Sequence, residues 1–192
     1  MSMICLASSS PRRAELLRQI GVEFMVHATH IDESRRERES PVEYVCRMAT
    51  SKAQAAAREL AASDRCLPVL AADTTIALDG DIIGKPADPE QCRDILERLS
   101  ARQHLVLSAV ALATDDIKLR LTQNRVSFRT LSKSEIDAYC RSAEPMDKAG
   151  GYAIQGKAAV FVRHLEGSYS AVMGLPLYET AELLQQAEIA VF

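Results

Sequence analysis

Apolar and polar positions change their spacing several times along the chain, and each spacing predicts a type of element. Short, mostly apolar runs predict strands at 3–7, 22–27, 67–78, 104–113, 118–129 and 158–165. Apolar residues at helical spacing predict helices from 11 to about 20, at 41–62, 89–99, 133–141 and 177–187. The Asp-Gly pair at 79–80 predicts a tight hairpin into a short strand at 81–83. Interspersed strands and helices indicate the α/β class with a mixed sheet.

The first predicted helix begins differently from the others. A capping residue followed three positions later by Glu or Gln occurs at 40–43 (SPVE), 88–91 (DPEQ) and 132–135 (SKSE). The first helix has the serine and the proline, but Arg12 and Arg13 stand where an acidic partner would be expected. Free backbone N–H groups beside two guanidinium groups favour a bound phosphate. The alternative is that both arginines are simply solvated.

One carboxylate interrupts the apolar segment 67–78. Asp73 would be costly to bury there unless it is paired, hydrogen-bonded or bound to a metal ion. It could instead face solvent or cap a turn with Thr74 and Thr75. The small residues at 71–72 leave room for a ligand, and an acid at a strand end can hold Mg²⁺ through its oxygens.

Other polar residues give weaker signals. Lys85 lies on a rigid turn, Lys52 lies within the long helix, and Glu33 lies in a charge-dense loop whose composition is typical of solvated surface. Residues 147–156 (DKAGGYAIQG) are rich in small residues, as a backbone that approaches a ligand closely requires. Within that segment, Gln155 carries both a donor and an acceptor and can read the edge of a base. An ordinary surface loop is the alternative.

Composition narrows the classes of function. With 192 residues, 47% of them hydrophobic and 26% charged, we expect one domain spanning 1–192. The net charge of -3 argues against general binding of nucleic acids or membrane surfaces. Five scattered cysteines without a C-x-x-C pair indicate reduced thiols, and the histidines show no metal-binding spacing. No signal peptide or membrane-spanning run is evident, so a cytoplasmic protein is expected.

Several of these segments together resemble the Maf family of nucleotide pyrophosphatases. They are 6–13 (LASSSPRR), 72–74 (ADT), 84–86 (GKP), 147–156 and 174–176 (GLP), in order along essentially the whole chain. The resemblance implies an elongated mixed β-sheet with flanking helices in two lobes, as in inosine triphosphate pyrophosphatases, with the active site in the cleft between them. It also implies hydrolysis of a nucleoside triphosphate between its α and β phosphates with a divalent cation (Mg, Mn or Co).

The resemblance also implies roles for single residues. Asp73 would bind the metal and activate water, with Glu33 as a second acidic ligand. The triphosphate would be bound by Ser8, Arg12, Arg13, Lys52 and Lys85. Ser9 stands where the family often has glycine, and it too is small.

Base choice rests on a few positions. Asp-Thr at 73–74 and Gln-Gly at 155–156 look like the branch that acts on dTTP and UTP, so Arg12, Thr74 and Gln155 are the candidate specificity residues. The 7-methyl-GTP branch typically has Asp-Gln and a glutamate there. A nucleotide-binding regulator of septum formation is a further alternative, although it would have no use for a metal-binding Asp73.

We expect a homodimer without nucleic-acid or membrane partners. Removal of modified nucleotides and control of cell division are equally compatible roles.

Overall fold

A computed structural model describes residues 3–63, 65–142 and 144–192. The strands are β1 (Ile4–Leu6), β2 (Phe24–Val26), β3 (Val69–Leu78), β4 (Asp81–Ile83), β5 (Gln103–Ala113), β6 (Ile117–Phe128) and β7 (Val162–Glu166). The α-helices are α1 (Pro11–Gln19), α2 (Pro41–Ala61), α3 (Pro89–Leu99), α4 (Lys133–Cys140), α5 (Tyr169–Met173) and α6 (Leu177–Gln186). None of the helices within these ranges combines the length and apolar character needed to span a bilayer.

Two elements differ from the sequence-based prediction. The strand expected at 158–165 begins only at Val162, because Lys157–Phe161 forms a 3₁₀ helix. Its buried residues Ala158 and Phe161 are three positions apart, which is the repeat of a 3₁₀ helix. The short helix α5 was not predicted. Its five residues are too few to show a periodic pattern.

The strands form a mixed sheet, as predicted. Its order is β2-β1-β3-β5-β6-β7, and β4 pairs with the end of β3. β1 is parallel to both β2 and β3, whereas the other pairings are antiparallel. The hairpin between β3 and β4 is confirmed: Asp79 and Gly80 both have positive φ (54° and 86°), as a tight two-residue turn requires.

On one of its edges, β3 pairs with β1 near its start and with β4 near its end. Leu70 pairs with Leu6 of β1, and Ile76 pairs with Ile83 of β4. Between these points, residues 71–75 have no strand partner on this edge within the described chain, although β5 pairs with all of them on the other edge. The sheet therefore has a gap between the part that carries β1 and the part that carries β4.

Helices cover both faces of the sheet around this gap. α1 and α6 pack on one face with the even-numbered β3 residues Leu70 and Ala72. α2 packs on the opposite face with the odd-numbered Val69 and Ala71. The α2 contact is made largely by small side chains (Ala49, Ala53 and Ala56 of the helix), all fully buried. Small side chains let the helix approach the sheet closely, which brings polar residues beside this alanine stripe near β3.

Candidate active site

The start of α1 lacks the caps that other helices have. Ser40 and Ser132 form complete capping boxes, whereas Ser10 makes no side-chain cap and no acidic residue lies in the first turn of α1. At α3, Asp88 caps the backbone, but Gln91 accepts from the Ala87 N–H rather than completing a box. The backbone N–H groups at the start of α1 are therefore available to an anion, as the sequence indicated.

Arg13 turns back from this helix start across the loop that precedes it. Its guanidinium donates from Nε to the Gly174 carbonyl at 2.9 Å and from Nη1 to Ser8 Oγ at 3.2 Å. Ser8 Oγ also accepts from the Ser10 N–H at 3.2 Å. Burial lowers the pKa of Arg13, and the nearby carboxylate of Asp73 opposes this shift. Arg13 is thus a held cation within electrostatic reach of Asp73, not a solvated surface group.

Arg12 is placed differently. Its Nη1 lies 3.9 Å from Asp147 Oδ2, and its side chain is 27% exposed. An ion pair of this length at the surface contributes little and leaves most of the guanidinium N–H groups for other acceptors. Arg12 therefore links the start of α1 loosely to the segment that begins at Asp147.

Asp73 is buried and paired with Lys52 of α2. Lys52 Nζ lies 2.7 Å from Asp73 Oδ1 and 2.7 Å from Glu33 Oε1, so one ammonium joins two carboxylates. Asp73 is 8% exposed, which excludes the solvent-facing alternative. We refer to Lys52, Asp73 and Glu33 as the charged cluster. It lies beside the gap in the sheet, because Asp73 belongs to the unpaired stretch of β3.

Glu33 is half-exposed at the rim of the charged cluster. Burial alone would raise the pKa of Glu33, but the hydrogen bond and charge of Lys52 hold it below its ordinary value. The positive charges of Lys85 and Arg13 act in the same direction. Four of the predicted site residues thus influence one another electrostatically, and Glu33 stays ionised at neutral pH.

The loop that carries Glu33 is fastened to α2 by residues that the sequence did not single out. Tyr44 donates its hydroxyl to the Glu33 carbonyl at 3.0 Å, and Arg47 donates to the Ser34 carbonyl at 2.9 Å. Arg47 also donates to Glu39 Oε2 at 2.7 Å, and Glu39 is only 8% exposed. The loop therefore departs from the expected solvated surface at Glu39. In the sequence, only the dense mixture of charges in this loop could have indicated these contacts.

The glycine-rich segment 147–156 is tied to the turn that carries Lys85. The Gly150 N–H donates to the Gly84 carbonyl at 2.9 Å. Gly150 has a φ of 69°, and a Cβ there would lie 2.3 Å from Ile76 Cδ1. The lack of a side chain at Gly150 therefore allows this segment to pack against β3. A close approach of the segment's backbone to a ligand stays a prediction. Lys85 itself is exposed.

The two base-reading candidates lie in different surroundings. Thr74 points to the face of β3 opposite Asp73, and its Oγ1 lies 2.9 Å from Ser108 Oγ. Gln155 lies on an exposed turn, and its side chain makes no hydrogen bond with other described residues. The structure thus brings Ser8, Arg13 and the charged cluster together. Thr74 lies near Arg13, because both side chains approach Gly174. The structure does not join Gln155 to them directly.

A separate cleft of about 250 Å³ lies beside the β3–β4 hairpin. It is lined mainly by apolar groups, including Val42, Leu105 and Leu107, and contains no member of the charged cluster. Chemistry on a phosphate needs cations and carboxylates, so the charged cluster is the better candidate site.

The charged cluster fits a hard cation only in part. Two carboxylates already surround one ammonium, and carboxylate oxygen is a ligand that Mg²⁺ prefers. Among the described residues, no group of three His, Cys, Asp or Glu side chains is placed to hold a metal ion. A cation at Asp73 and Glu33 would therefore need further oxygens from substrate phosphates, which is the usual way that Mg²⁺ binds in phosphate enzymes.

An α/β fold with a split sheet edge, an uncapped helix start and a buried Lys–Asp pair has the features expected of a phosphate-binding enzyme. The sequence matches the family described as Maf-like protein over residues 3–187, and the chain belongs to this family.

Known proteins support this assignment. A protein of Alkalilimnicola ehrlichii named dTTP/UTP pyrophosphatase is 50% identical over 97% of this chain and 93% of its own length. One from Colwellia psychrerythraea with the same name is 48% identical over 96% and 88% of the two chains. The Staphylococcus aureus Ham1 structure covers 97% of this chain and all of its own, with a TM-score of 0.52 at 14% identity. That likeness confirms the expected fold.

Proposed function

We propose that this protein hydrolyses dTTP and UTP between the α and β phosphates, releasing the monophosphate and pyrophosphate. The observation that carries the proposal is the charged cluster beside the gap in the sheet and close to the uncapped start of α1. The names of relatives about 50% identical support the choice of dTTP and UTP. We further propose that it acts in the cytoplasm as a homodimer.

The triphosphate would lie at the start of α1. There the free backbone N–H groups, Arg12 and Arg13 meet its negative charge, and Ser8 keeps the Arg13 guanidinium in place. Lys85, which is exposed on the turn after β4, would add a cation from the opposite side of the gap. Because the backbone N–H groups of α1 and the Arg13 guanidinium are held in place before the substrate arrives, little reorganisation of these donors is needed as charge develops on the leaving pyrophosphate.

Asp73 is suited to direct the attacking water. Lys52 occupies its Oδ1, which leaves Oδ2 to accept a proton from water. The water oxygen forms a bond to the α-phosphorus while the bond to the bridging oxygen breaks, and pyrophosphate leaves with that oxygen. The proton passes to Asp73. Lys52 holds the carboxylate in place through Oδ1 until that transfer.

Asp73 and Glu33 are the residues that would hold a divalent cation, whether Mg²⁺, Mn²⁺ or Co²⁺. When bound, the cation would neutralise charge on the phosphates. Arg12, Thr74 and Gln155 would select the base and the nucleotide. Removal of modified pyrimidine nucleotides is compatible with the same chemistry.

The test is pyrophosphate release from dTTP, UTP, 7-methyl-GTP and dATP with Mg²⁺ or Mn²⁺. We expect turnover of dTTP and UTP, and Asp73→Asn should reduce kcat to less than about a tenth of the wild-type value. Asp116→Asn, a matched change in the exposed β5–β6 turn, should leave kcat unchanged. Preference for 7-methyl-GTP would refute the substrate assignment. Nucleotide binding without turnover would show a regulator instead of an enzyme.

A further inference from the structure

The hydroxyl of Thr74 is held in one direction by a buried chain of hydrogen bonds. Ser108 Oγ lies 2.6 Å from the Ala171 carbonyl oxygen and 2.9 Å from Thr74 Oγ1. A carbonyl oxygen can only accept, and a serine hydroxyl has a single proton, so Ser108 donates to Ala171. The proton between the two hydroxyls must then come from Thr74.

This chain is protected from water and firmly braced. Ser108 and Ala171 are fully buried. The Ser108 carbonyl accepts from Thr122 Oγ1 at 3.2 Å, which fixes the backbone of β5. Ala171 lies in α5, whose first turn is capped by Ser168. Reversing the hydrogen bonds would place two acceptors 2.6 Å apart, so the direction at Thr74 does not depend on a mobile side chain.

Thr74 therefore offers lone pairs, but no proton, to a ligand in the gap. Within 71–75 it is the residue that is partly exposed, whereas the other four are buried. A Cβ at Gly174 would lie 3.9 Å from Thr74 Oγ1 and 3.7 Å from Arg13 Nε, so the hydroxyl lies near the proposed triphosphate site. Phosphate oxygens are themselves acceptors. A hydroxyl without a free proton gains nothing from them and needs a donor on the ligand.

We propose that Ser108 is a positioning residue for base selection, acting through Thr74. By keeping the Thr74 hydroxyl an acceptor, it favours the imino N–H at ring position 3 of uracil and thymine. It disfavours cytosine, whose ring nitrogen at that position is an acceptor. The inference rests on the proposed function, in that it assumes a pyrimidine nucleotide in the gap.

The distinction between bases then follows from hydrogen-bond polarity. An imino N–H facing the Thr74 oxygen makes a hydrogen bond, whereas the cytosine nitrogen would put two lone pairs face to face. Gln155 differs from Thr74 in this respect. Its exposed amide can rotate to present either a donor or an acceptor, so it can adapt to the neighbouring ring substituent. Of these two residues, Thr74 would be the one that always acts as a hydrogen-bond acceptor.

The test compares kcat/KM for UTP, CTP and dUTP in the wild type and in Ser108→Ala, Thr74→Val and the double variant. We expect the wild type to prefer UTP over CTP. Ser108→Ala frees the Thr74 hydroxyl to rotate, so the UTP:CTP ratio should fall about fivefold, as for one neutral hydrogen bond. Thr74→Val should lower it at least as much. Adding Ser108→Ala to Thr74→Val should then change the ratio no further, because the two residues act as one unit.

Thr74→Ser is the control, because it keeps the hydroxyl and should keep the ratio. Dissociation constants of the α,β-methylene analogues of UTP and CTP, measured by calorimetry, report the same preference without turnover. They therefore test the inference even if the wild type hydrolyses neither nucleotide, a result that would refute only the proposed function. Should Ser108→Ala not fold, Ser108→Cys takes its place, because a thiol fills a similar volume but is only a weak hydrogen-bond donor and acceptor.

Two results would overturn the inference. One is a UTP:CTP ratio near unity in the wild type, or one that Ser108→Ala and Thr74→Val leave unchanged. The other is a change in UTP relative to dUTP with a constant UTP:CTP ratio, which would show that Thr74 accepts from the ribose hydroxyl instead of the base.

Discussion

Replacing Lys52 by methionine perturbs the charged cluster directly, because the Lys52 ammonium lies between its two carboxylates. Nζ is 2.7 Å from Asp73 Oδ1 and 2.7 Å from Glu33 Oε1. Methionine keeps an unbranched apolar side chain of similar length but removes the charge and the donors. Lys52→Met therefore leaves two carboxylates close together with no cation between them.

The geometry gives the scale of the repulsion that Lys52→Met would leave. Both oxygens lie 2.7 Å from one nitrogen. They are therefore at most about 5.4 Å apart, and at an effective dielectric constant of about 20 they repel by at least about 3 kcal/mol. The Glu33 side chain is 53% exposed, so water screens the repulsion and the side chain can swing outward, which leaves about 1–2 kcal/mol. A loss of that size should lower Tm by about 2–8 °C in a chain of this length.

The cost of Lys52→Met should increase with pH. Burial alone would raise the pKa of Glu33, but Lys52 holds it low in the wild type. That contribution to stability is present above the unfolded-state pKa and is lost as the pH falls. Without Lys52, burial prevails and the pKa of Glu33 rises, so the ionised pair destabilises the variant more as the pH increases. The difference in Tm should therefore be larger at about pH 8 than at about pH 4.5.

Thermal unfolding with and without Mn²⁺ provides the assay. The cation should raise Tm more in Lys52→Met than in the wild type, because it can replace the ammonium between the carboxylates. Lys157→Met removes the same charge from an exposed position and is the matched control. A Tm difference that is equal at both pH values, or an equal effect of Mn²⁺ on all three proteins, would refute the reasoning.

Three further predictions concern Arg12, Gln155 and Arg47. Arg12→Ala should raise KM for dTTP and lower kcat together. Its Tm should be unchanged or slightly higher, because a cation leaves the positive end of α1 and the contact with Asp147 is weak. Lost stability with normal kinetics would indicate a structural ion pair. Gln155→Glu should lower kcat/KM for dTTP and UTP at least about tenfold, because a carboxylate repels a base carbonyl. The loss for 7-methyl-GTP should be much smaller, and equal losses for all three substrates would mean that residue 155 only shapes the loop. The hydrogen bond from Arg47 lowers the pKa of Glu39 from 4.5 to about 2, so the Tm of the wild type should fall through that pH range more steeply than that of Arg47→Met.

The charged cluster shows how far sequence reasoning could reach. Asp73 was identifiable because a carboxylate in an apolar strand needs a partner. That partner is 21 positions earlier in the chain, and no local pattern connects the two. Lys52 does lie next to Ala53, which packs against the sheet. Its position was therefore compatible with an approach to the sheet, although the register between α2 and β3 is decided only by packing of the alanine stripe.

Other features had no local signal at all. The apolar residues of β3 are the same type on both sides of the gap, so their spacing could not indicate where β1 stops pairing and β4 begins. In Lys157–Phe161, four consecutive apolar residues resembled a strand, yet Val160 is 67% exposed. The bond from Ser108 to Ala171 spans 63 positions and depends on the short helix α5. Such contacts follow from tertiary packing, which periodicity does not encode.

The gap in the sheet explains how two neighbouring residues can serve different parts of one substrate. Successive side chains of a strand point to opposite faces, so Asp73 faces α2 and Thr74 faces α5. A fully paired strand would separate these two faces by a continuous sheet. Since no described strand pairs with residues 71–75 on one edge, a ligand lying along that edge can contact both faces. Under the proposed function, the two adjacent residues would thus act on different parts of the substrate, Asp73 at the phosphates and Thr74 at the base. Substitutions at Thr74 should therefore change the choice of base without disturbing the Lys52–Asp73 pair.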